Sequence, residues 1–408
     1  MNDYFAKNLD YDRIRGRQVF ICGASLLSVA VIRNLQKSCI AVSGIVDPSF
    51  HESDHSMRFC GVSVYGMSDL NGVIRSEAVV LVCCNTKGQG RRCIAEIHAQ
   101  HPGVECRMLW NPTEVYIDVS GNCGLRCRSC QVANHRPESF PYRNRGNMSL
   151  AMFERILDKI HEELPECPGV FLFNYGEPLL CPKLPEMIDI LHKHGLVAVI
   201  SSSLSVDYDF ERLIASKPDV IKISLSGFTQ RVYETTHNGG NVFLVKSNMY
   251  KLKALADRFG AETGFVVGYH IYNNNAGTEL ERVRSLCREL GFLFQPRRAN
   301  FCNIPKLCGI DAFSETDRRF IQTYYPNADD ILSVQRSVQP VPGTCRNALH
   351  RLFIDYDGHV FLCFMVMHSA GIFDSYLDTT LPRIREWQRT HWICQHCRQA
   401  GLASIEEE

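Results

Sequence analysis

Short apolar runs alternate with stretches of helical apolar spacing along most of this chain. In the first part of the chain this pattern predicts a strand that starts at Arg17 and meets a glycine turn by Ser25, further strands at 40–46, 77–83 and 104–109, and helices at 26–35 and 91–101. Strands that alternate with helices are typical of parallel α/β sheets. The pattern therefore predicts a doubly wound sheet here.

The middle of the chain repeats the alternation, with strands predicted at 115–119, 170–174, 197–203, 220–225, 264–271 and 292–295. Helices are predicted after Ser149 as an N-cap, from Pro185 to His194 with Gly195 following, and from a capping box at Thr278–Glu281. Repeated strand–helix units predict a parallel (β/α) barrel. Active sites of such barrels form at the carboxyl ends of the strands.

A chain of 408 residues is too long for one ordinary core and suits two or three domains. The pattern divides it into an α/β domain at 1–112, a barrel at 113–300 and a small cysteine-rich module at 301–408. The segment Trp110–Thr113 is predicted to link the first two.

The composition argues against some classes of function and favours others. Hydrophobic residues make up 45% and charged residues 22%, and the formal net charge is zero, so nothing calls for nucleic acid or an anionic membrane. The N-terminus lacks a signal peptide's apolar core, and no apolar run could span a bilayer. We therefore expect a cytoplasmic protein. Nineteen cysteines in a reducing compartment favour metal or redox chemistry over disulfides.

Three of these cysteines, Cys123, Cys127 and Cys130, form a C-x3-C-x2-C loop just after a predicted strand. Thiolates suit iron–sulfur clusters and zinc. Three ligands on a four-iron cube leave one iron open to a substrate or cofactor. A zinc knuckle, or a scatter of buried thiols, is the alternative interpretation.

This C-x3-C-x2-C loop resembles the signature of the radical S-adenosylmethionine (SAM) enzymes. The resemblance implies a partial six-unit barrel and a [4Fe–4S] cluster whose open iron chelates SAM. It also implies reductive cleavage of SAM to a 5′-deoxyadenosyl radical that abstracts hydrogen, with an electron donor such as flavodoxin or ferredoxin. The family often has an aromatic residue before the third cysteine, where this chain has Ser129.

Further motifs follow in the family's order. Tyr175-Gly-Glu-Pro178 resembles its Gly-Gly-Glu-Pro motif, with tyrosine in place of the first glycine, and the serines at 201–203 stand where the family has a ribose-contacting strand end. The segment 223–227 resembles one found in peptide- and sugar-modifying members. By this resemblance the SAM contacts are Tyr175, Gly176, Glu177, Ser202, Ser203 and Ser224.

The C-terminal module contains four spaced cysteines, Cys345, Cys363, Cys394 and Cys397. Four thiols are enough to close a [4Fe–4S] cluster, and a zinc site with the same ligands is the alternative. The spacing, with a glycine five residues before Cys363, resembles the twitch form of the SPASM extension, which implies one auxiliary cluster. Cys302 and Cys308 precede the module. They are predicted to pack, although a thiol there could also give hydrogen to a substrate radical.

The N-terminal domain resembles a Rossmann-like domain. Its dinucleotide fingerprint is weak, because only Gly23 of three glycines is present, although Asp47 stands where a ribose-binding acid would. Similar domains accompany enzymes of sugar and polysaccharide pathways, which implies a small-molecule or carrier-linked substrate.

The resemblance to twitch-type aminocyclitol dehydrogenases implies an oxidoreductase. It would oxidise a hydroxyl-bearing carbon of a sugar- or cyclitol-like substrate, and the auxiliary cluster would accept the electron. The alternatives are modification of a ribosomal peptide, an epimerase, and a non-enzymatic iron–sulfur or zinc redox sensor. No catalytic side chain is assigned.

Overall fold

The structure is a computed structural model, and it describes residues 3–47, 50, 57–84, 86–111, 113–130, 146–333 and 343–404. Its strands are β1 Val19–Cys22, β2 Val42–Val46, β3 Arg58–Phe59, β4 Val62–Tyr65, β5 Val79–Cys84, β6 Glu105–Trp110, β7 Glu114–Ile117, β8 Gly169–Phe171, β9 Val197–Ser202, β10 Val220–Ser224, β11 Gly264–Ile271, β12 Leu293–Arg298, β13 Arg351–Ile354, β14 His359–Phe361 and β15 Ile372–Ser375.

The α-helices of the first half are Asp3–Asn8, Tyr11–Ile14, Leu26–Lys37, Lys87–Gln100, Leu150–Glu163, Leu184–Lys193 and Phe210–Ala215. Those of the second half are Gln230–Thr236, Val242–Phe259, Thr278–Leu290, Ile304–Leu307, Glu315–Tyr324, Ala328–Ser333, Arg346–His350, Leu381–Thr390 and Trp392–Gln399.

Two sheets organise these elements. The first has the order β3-β4-β2-β1-β5-β6, and only its β3–β4 pair is antiparallel. The second has the order β12-β11-β10-β9-β8-β7-β13-β14-β15. Its strands β7 to β12 are parallel neighbours in chain order, and the C-terminal strands extend the sheet beyond β7. The predicted α/β class with parallel sheets is confirmed.

The strands of the second sheet bury both faces. Ala198 and Ile200 of β9 point to one side, where they join the core formed with the surrounding helices. Val199, between them, points to the other side and packs in one cluster with Leu27 and Phe59 of the N-terminal segment. Because side chains alternate along a strand, the N-terminal segment covers the inner face of the second sheet.

Several local predictions need correction. The helix predicted to open on a capping box at Thr278–Glu281 has Gly277 as its N-cap, with no side-chain cap bond. Instead, the Glu279 carboxylate accepts hydrogen bonds from the backbone N–H groups of Phe228 (2.6 Å) and Thr229 (3.0 Å). The strand predicted at 292–295 continues to Arg298, so Arg297 and Arg298 lie in the strand rather than after it.

An ion-pair network joins the N-terminal segment to the second sheet. Arg33 donates to Asp219 (Nε–Oδ1 3.0 Å) and to Glu262 (Nη1–Oε2 2.9 Å). The Asp219 side chain is 6% exposed, whereas that of Glu262 is 49% exposed. Asp219 also pairs with His192 and accepts the backbone N–H of Ala198. Asp219 is therefore the buried member of the network.

Replacing Asp219 with alanine is expected to lower the free energy of unfolding by about 3 kcal/mol, because it leaves buried donors without their acceptor. The matched variant Glu262→Ala should cost about 0.5 kcal/mol or less, since an exposed pair contributes little. Urea unfolding of both variants measures this, and equal losses would contradict it.

Burial opposes ionisation, but the bonds from His192 and Ala198 lower the pKa of Asp219. Its stabilisation is therefore complete above about pH 4 and is lost as the pH falls further.

Candidate active site

The cysteine loop follows β7 at the carboxyl edge of the parallel strands. Cys123, Cys127 and Cys130 are all partly exposed. Backbone bonds hold the loop, since the Arg126 N–H donates to the Asn238 carbonyl (2.8 Å) and the Cys130 N–H donates to the Cys127 carbonyl (3.1 Å). The loop is thus positioned by contacts with its own residues and with the segment after β10.

The three thiols are electrostatic neighbours. Burial raises the pKa of Cys123 to about 11, with further increases from Glu177 and Cys130. Burial also raises the pKa of Cys127, and the other two cysteines add to the shift. Within the described ranges, no three His, Cys, Asp or Glu side chains are close enough to hold a metal ion. Each thiolate of an iron–sulfur cluster binds its own iron, so the sulfurs need not converge on one ion, and a set of three thiols fits such a cluster.

The Tyr175–Pro178 segment meets the cysteine loop at this edge. The Glu177 N–H donates to the Asn122 carbonyl (2.7 Å), next to Cys123. Gly176 lies so close to the loop that an added Cβ would overlap the Ser120 carbonyl oxygen. Only glycine permits this close approach of two backbone segments.

Glu177 connects this segment to the end of β9. Its buried carboxylate accepts hydrogen bonds from the backbone N–H (2.9 Å) and the hydroxyl (2.8 Å) of Ser203. Burial raises the pKa of Glu177, while the bonds from Ser202 and Ser203 oppose that shift. The structure thus brings Glu177 together with two of the serines predicted to bind SAM.

The remaining predicted contact lies one strand further along. Ser202 pairs in register with Ile223, so Ser203 and Ser224 follow at neighbouring positions of the same sheet edge. Ser224 is partly exposed, and the Ser202 hydroxyl accepts the Leu204 N–H (2.9 Å). The roles of these serines and of the three thiols stay predictions.

Asp118 is a residue that the sequence analysis missed. It follows β7, is 4% exposed, and its Oδ1 accepts the backbone N–H groups of Asn174 (2.8 Å), Tyr175 (3.0 Å) and Gly176 (3.1 Å). Burial raises the pKa of Asp118 to about 7, against the effect of these bonds. Its position after a strand is the only sequence signal, and its partners lie more than fifty residues away.

Replacing Asp118 with alanine is expected to lower the free energy of unfolding by about 3 kcal/mol, because three partly buried N–H groups lose their shared acceptor. SAM binding should weaken as well, since these hydrogen bonds to Asp118 hold the segment that contains Gly176. Asp118→Asn keeps one acceptor oxygen and is expected to lose about 1 kcal/mol or less. Chemical unfolding and equilibrium dialysis with labelled SAM measure both, and identical behaviour of the two variants would contradict this role.

The four C-terminal cysteines also come together. Cys363, Cys394 and Cys397 belong to one packed cluster. Burial raises the pKa of Cys363 to about 12, and the nearby Cys345 and Cys394 add to that shift. Cys308 lies in the same cluster and, after burial, contributes most to the raised pKa of Cys397. The set of donors is sulfur only, which suits an iron–sulfur cluster.

Tyr175 links the two cysteine groups. Its hydroxyl donates to the carbonyl oxygen of Phe364 (2.6 Å), directly after Cys363, and its ring packs in a cluster with Cys130. The tyrosine that replaces the family's first glycine thus contacts the loop that carries Cys363.

Comparison with known proteins identifies one segment of this chain. Residues 117–276 match the family model described as the radical SAM superfamily, which identifies this segment as a radical SAM domain. The family implies SAM and a [4Fe–4S] cluster. A curated relative is the tungsten-containing aldehyde ferredoxin oxidoreductase cofactor-modifying protein of Pyrococcus furiosus, 26% identical over 113 residues. That match covers 27% of this chain and only 30% of the relative.

Solved structures match this chain only at low sequence identity and with TM-scores of 0.46 or less. Native anSMEcpe with bound AdoMet has a TM-score of 0.46 and 15% identity, covering 72% of this chain and 93% of that chain. BtrN in complex with AdoMet and 2-DOIA has a TM-score of 0.39 and 12% identity, covering 71% and 87%. Streptococcus suis SuiB has a TM-score of 0.39 and 13% identity, covering 75% and 71%.

Across the described residues, every helix is too short or too polar to cross a lipid bilayer.

Proposed function

We propose that this chain is a radical SAM oxidoreductase in which Cys123, Cys127 and Cys130 hold the SAM-binding [4Fe–4S] cluster. The observation that carries the proposal is the hydrogen-bond chain at the sheet edge. Asn122, beside the first thiol, accepts the Glu177 N–H, and Glu177 in turn accepts from Ser203. These bonds bring together three motifs that are far apart in the chain, which supports one shared site.

Bound there, the cluster and SAM supply a radical that removes hydrogen from an unactivated C–H bond. The protein's part is to bind, orient and exclude water. Gly176 permits the close approach of the backbone, and the buried Glu177 carboxylate offers acceptor oxygens to the SAM amino group. That group's positive charge would offset the cost of burying the carboxylate. Ser202, Ser203 and Ser224 supply hydroxyls for the ribose.

The substrate that we propose is a sugar- or cyclitol-like compound. One of its hydroxyl-bearing carbons is oxidised by two electrons. Support comes from the second sulfur-only donor set at Cys345, Cys363, Cys394 and Cys397, which would hold an auxiliary [4Fe–4S] cluster. Such a cluster would supply an acceptor for the second electron, and the hydroxyl proton would leave to solvent. Tyr175 contacts the loops of both sets. The proposal includes membership of the SPASM/twitch subgroup, domains at 1–112, 113–300 and 301–408, and a flavodoxin or ferredoxin as electron donor.

The test is anaerobic reconstitution with iron and sulfide, followed by SAM and dithionite. We expect about eight irons per chain, the content of two four-iron clusters, and formation of 5′-deoxyadenosine measured by liquid chromatography. A fully loaded protein that forms no 5′-deoxyadenosine would support the redox-sensor alternative. About four irons per chain would remove the auxiliary cluster from the proposal.

A further inference from the structure

A cavity of about 620 Å³ lies between the N-terminal sheet and the inner face of the second sheet. Gly23 and Ser25, after β1, and Asp47, after β2, form one wall. In the first sheet β1 lies between β2 and β5, so the chain order reverses direction at this point. Ligands of doubly wound sheets bind at such a switch point, and this volume suits a small molecule.

The glycine turn itself has no free donors for a phosphate. The Gly23 N–H donates to the Val46 carbonyl (2.7 Å), the Ala24 N–H to Asp47 Oδ2 (3.1 Å) and the Ser25 N–H to the Ser28 hydroxyl (3.3 Å). Dinucleotide-binding turns direct such N–H groups at pyrophosphate. The charge of an anionic ligand must therefore be met by side chains of the cavity rather than by this turn.

The opposite wall is formed by strands of the second sheet that also carry Ser224. Lys222, Gln295 and Arg297 line the cavity. Lys222 precedes Ser224 by two residues on β10, so both side chains point to the same face. Ser224 pairs with Gly268, which pairs with Gln295, so Gln295 lies level with Ser224 across the sheet. The cavity wall thus ends beside Ser224, which does not itself line the cavity.

Lys222 and Arg297 of this wall have no hydrogen-bond or ion-pair partner among the described residues. Among the described residues, Lys222 makes no hydrogen bond or ion pair, and its Nζ lies 5.5 Å from the centre of the Phe171 ring. Arg297 likewise has no hydrogen bond or ion pair with the described part of the chain. Burial lowers the pKa of Lys222, and the charge of Arg297 lowers it further. An anion between the two would relieve both effects.

The nearest acid does not neutralise them. The Glu114 carboxylate lines the cavity, but it pairs with Arg351 (Nε–Oε2 2.7 Å) and Arg346 (Nη2–Oε1 3.4 Å). Glu114 and these two arginines therefore form a network of their own, and the positive charge of Lys222 and Arg297 remains available to a ligand.

We propose that this cavity binds the carrier half of the substrate, a diphosphate ester whose phosphates lie between Lys222 and Arg297 while the hydroxyl-bearing ring lies toward Ser224. This rests on the proposed function for the identity of the reacting ring. The N-terminal domain then supplies the surface that holds the carrier. The binding of the diphosphate requires neither cluster nor SAM, so it can fail or succeed independently of the radical chemistry.

Isothermal titration of the full, reconstituted chain with pyrophosphate, with UDP-glucose and with NAD tests the proposal. Pyrophosphate and UDP-glucose are expected to bind, and Lys222→Met and Arg297→Gln should each weaken both about tenfold, the effect of losing one charged hydrogen bond. Lys251→Met is the matched control, because Lys251 also lies over an aromatic ring (5.3 Å from the centre of Phe210) but outside the cavity. It should bind both probes unchanged.

A second readout does not depend on these variants. Cys93 lines the cavity and is partly exposed, whereas Cys39 is exposed elsewhere. Bound UDP-glucose should slow alkylation of Cys93 and leave that of Cys39 unchanged, as peptide mass spectrometry will show. The proposal is overturned if pyrophosphate does not bind, if the variants bind as the wild type does, or if Cys93 is not protected. Binding of pyrophosphate without UDP-glucose, or of NAD alone, would equally overturn it in favour of a free-phosphate or cofactor site.

Discussion

Replacing Cys127 with alanine is expected to reduce 5′-deoxyadenosine formation by at least about 1,000-fold, well beyond the effect of losing a supporting contact to a metal ligand. The reconstituted variant should also contain about four irons fewer than the wild type, because two thiolates do not hold a four-iron cluster. Iron analysis and single-turnover assays with SAM and dithionite measure the two quantities.

The C-terminal thiols give the matched comparison. Cys394→Ala should also lose about four irons but keep 5′-deoxyadenosine formation within about threefold, because the proposed auxiliary cluster would act on the substrate rather than on SAM. Cys39→Ala removes an exposed thiol outside both sets and should change neither quantity. If Cys127→Ala retained both its iron and its activity, the assignment of the cysteine loop would be wrong.

Gly176→Ala is expected to lower 5′-deoxyadenosine formation about 100-fold, the usual cost of displacing a reacting group by about 1 Å. The added methyl group would overlap the Ser120 carbonyl, and both partners are backbone, so the loops must separate. The separation should break the hydrogen bond between Glu177 and Asn122 and weaken SAM binding. Steady-state assays and SAM dialysis measure these losses.

Gly103→Ala is the control for Gly176→Ala. Gly103 is exposed, and an added Cβ there would meet no atom within 4 Å. This variant should keep wild-type activity. Unchanged SAM affinity in Gly176→Ala would show that the close approach to Ser120 has no part in binding.

Local signals in the sequence were sufficient for most elements. Ser149 caps its helix as predicted, with its hydroxyl accepting the Met152 N–H (3.2 Å), because both partners lie within one helical turn. Gly195 follows its helix with φ of 72°, the conformation expected of such a glycine. The capping box at Thr278 was wrong because Gly277 is the N-cap, so Thr278 is already the first residue of the helix. The residue types fit a capping box, but they do not fix the residue at which the helix begins.

The sequence by itself determined the parallel α/β class, and the order of its cysteine and glycine motifs indicated SAM and iron–sulfur chemistry. Motif spacing carries that information because ligands of one cluster lie on one short loop. Only the tertiary structure decided that Asp118 supports the Gly176 segment and that Lys222 faces a cavity closed by the N-terminal sheet. Those roles depend on which strands lie side by side. The residue type at one position does not show which distant strand will be its neighbour.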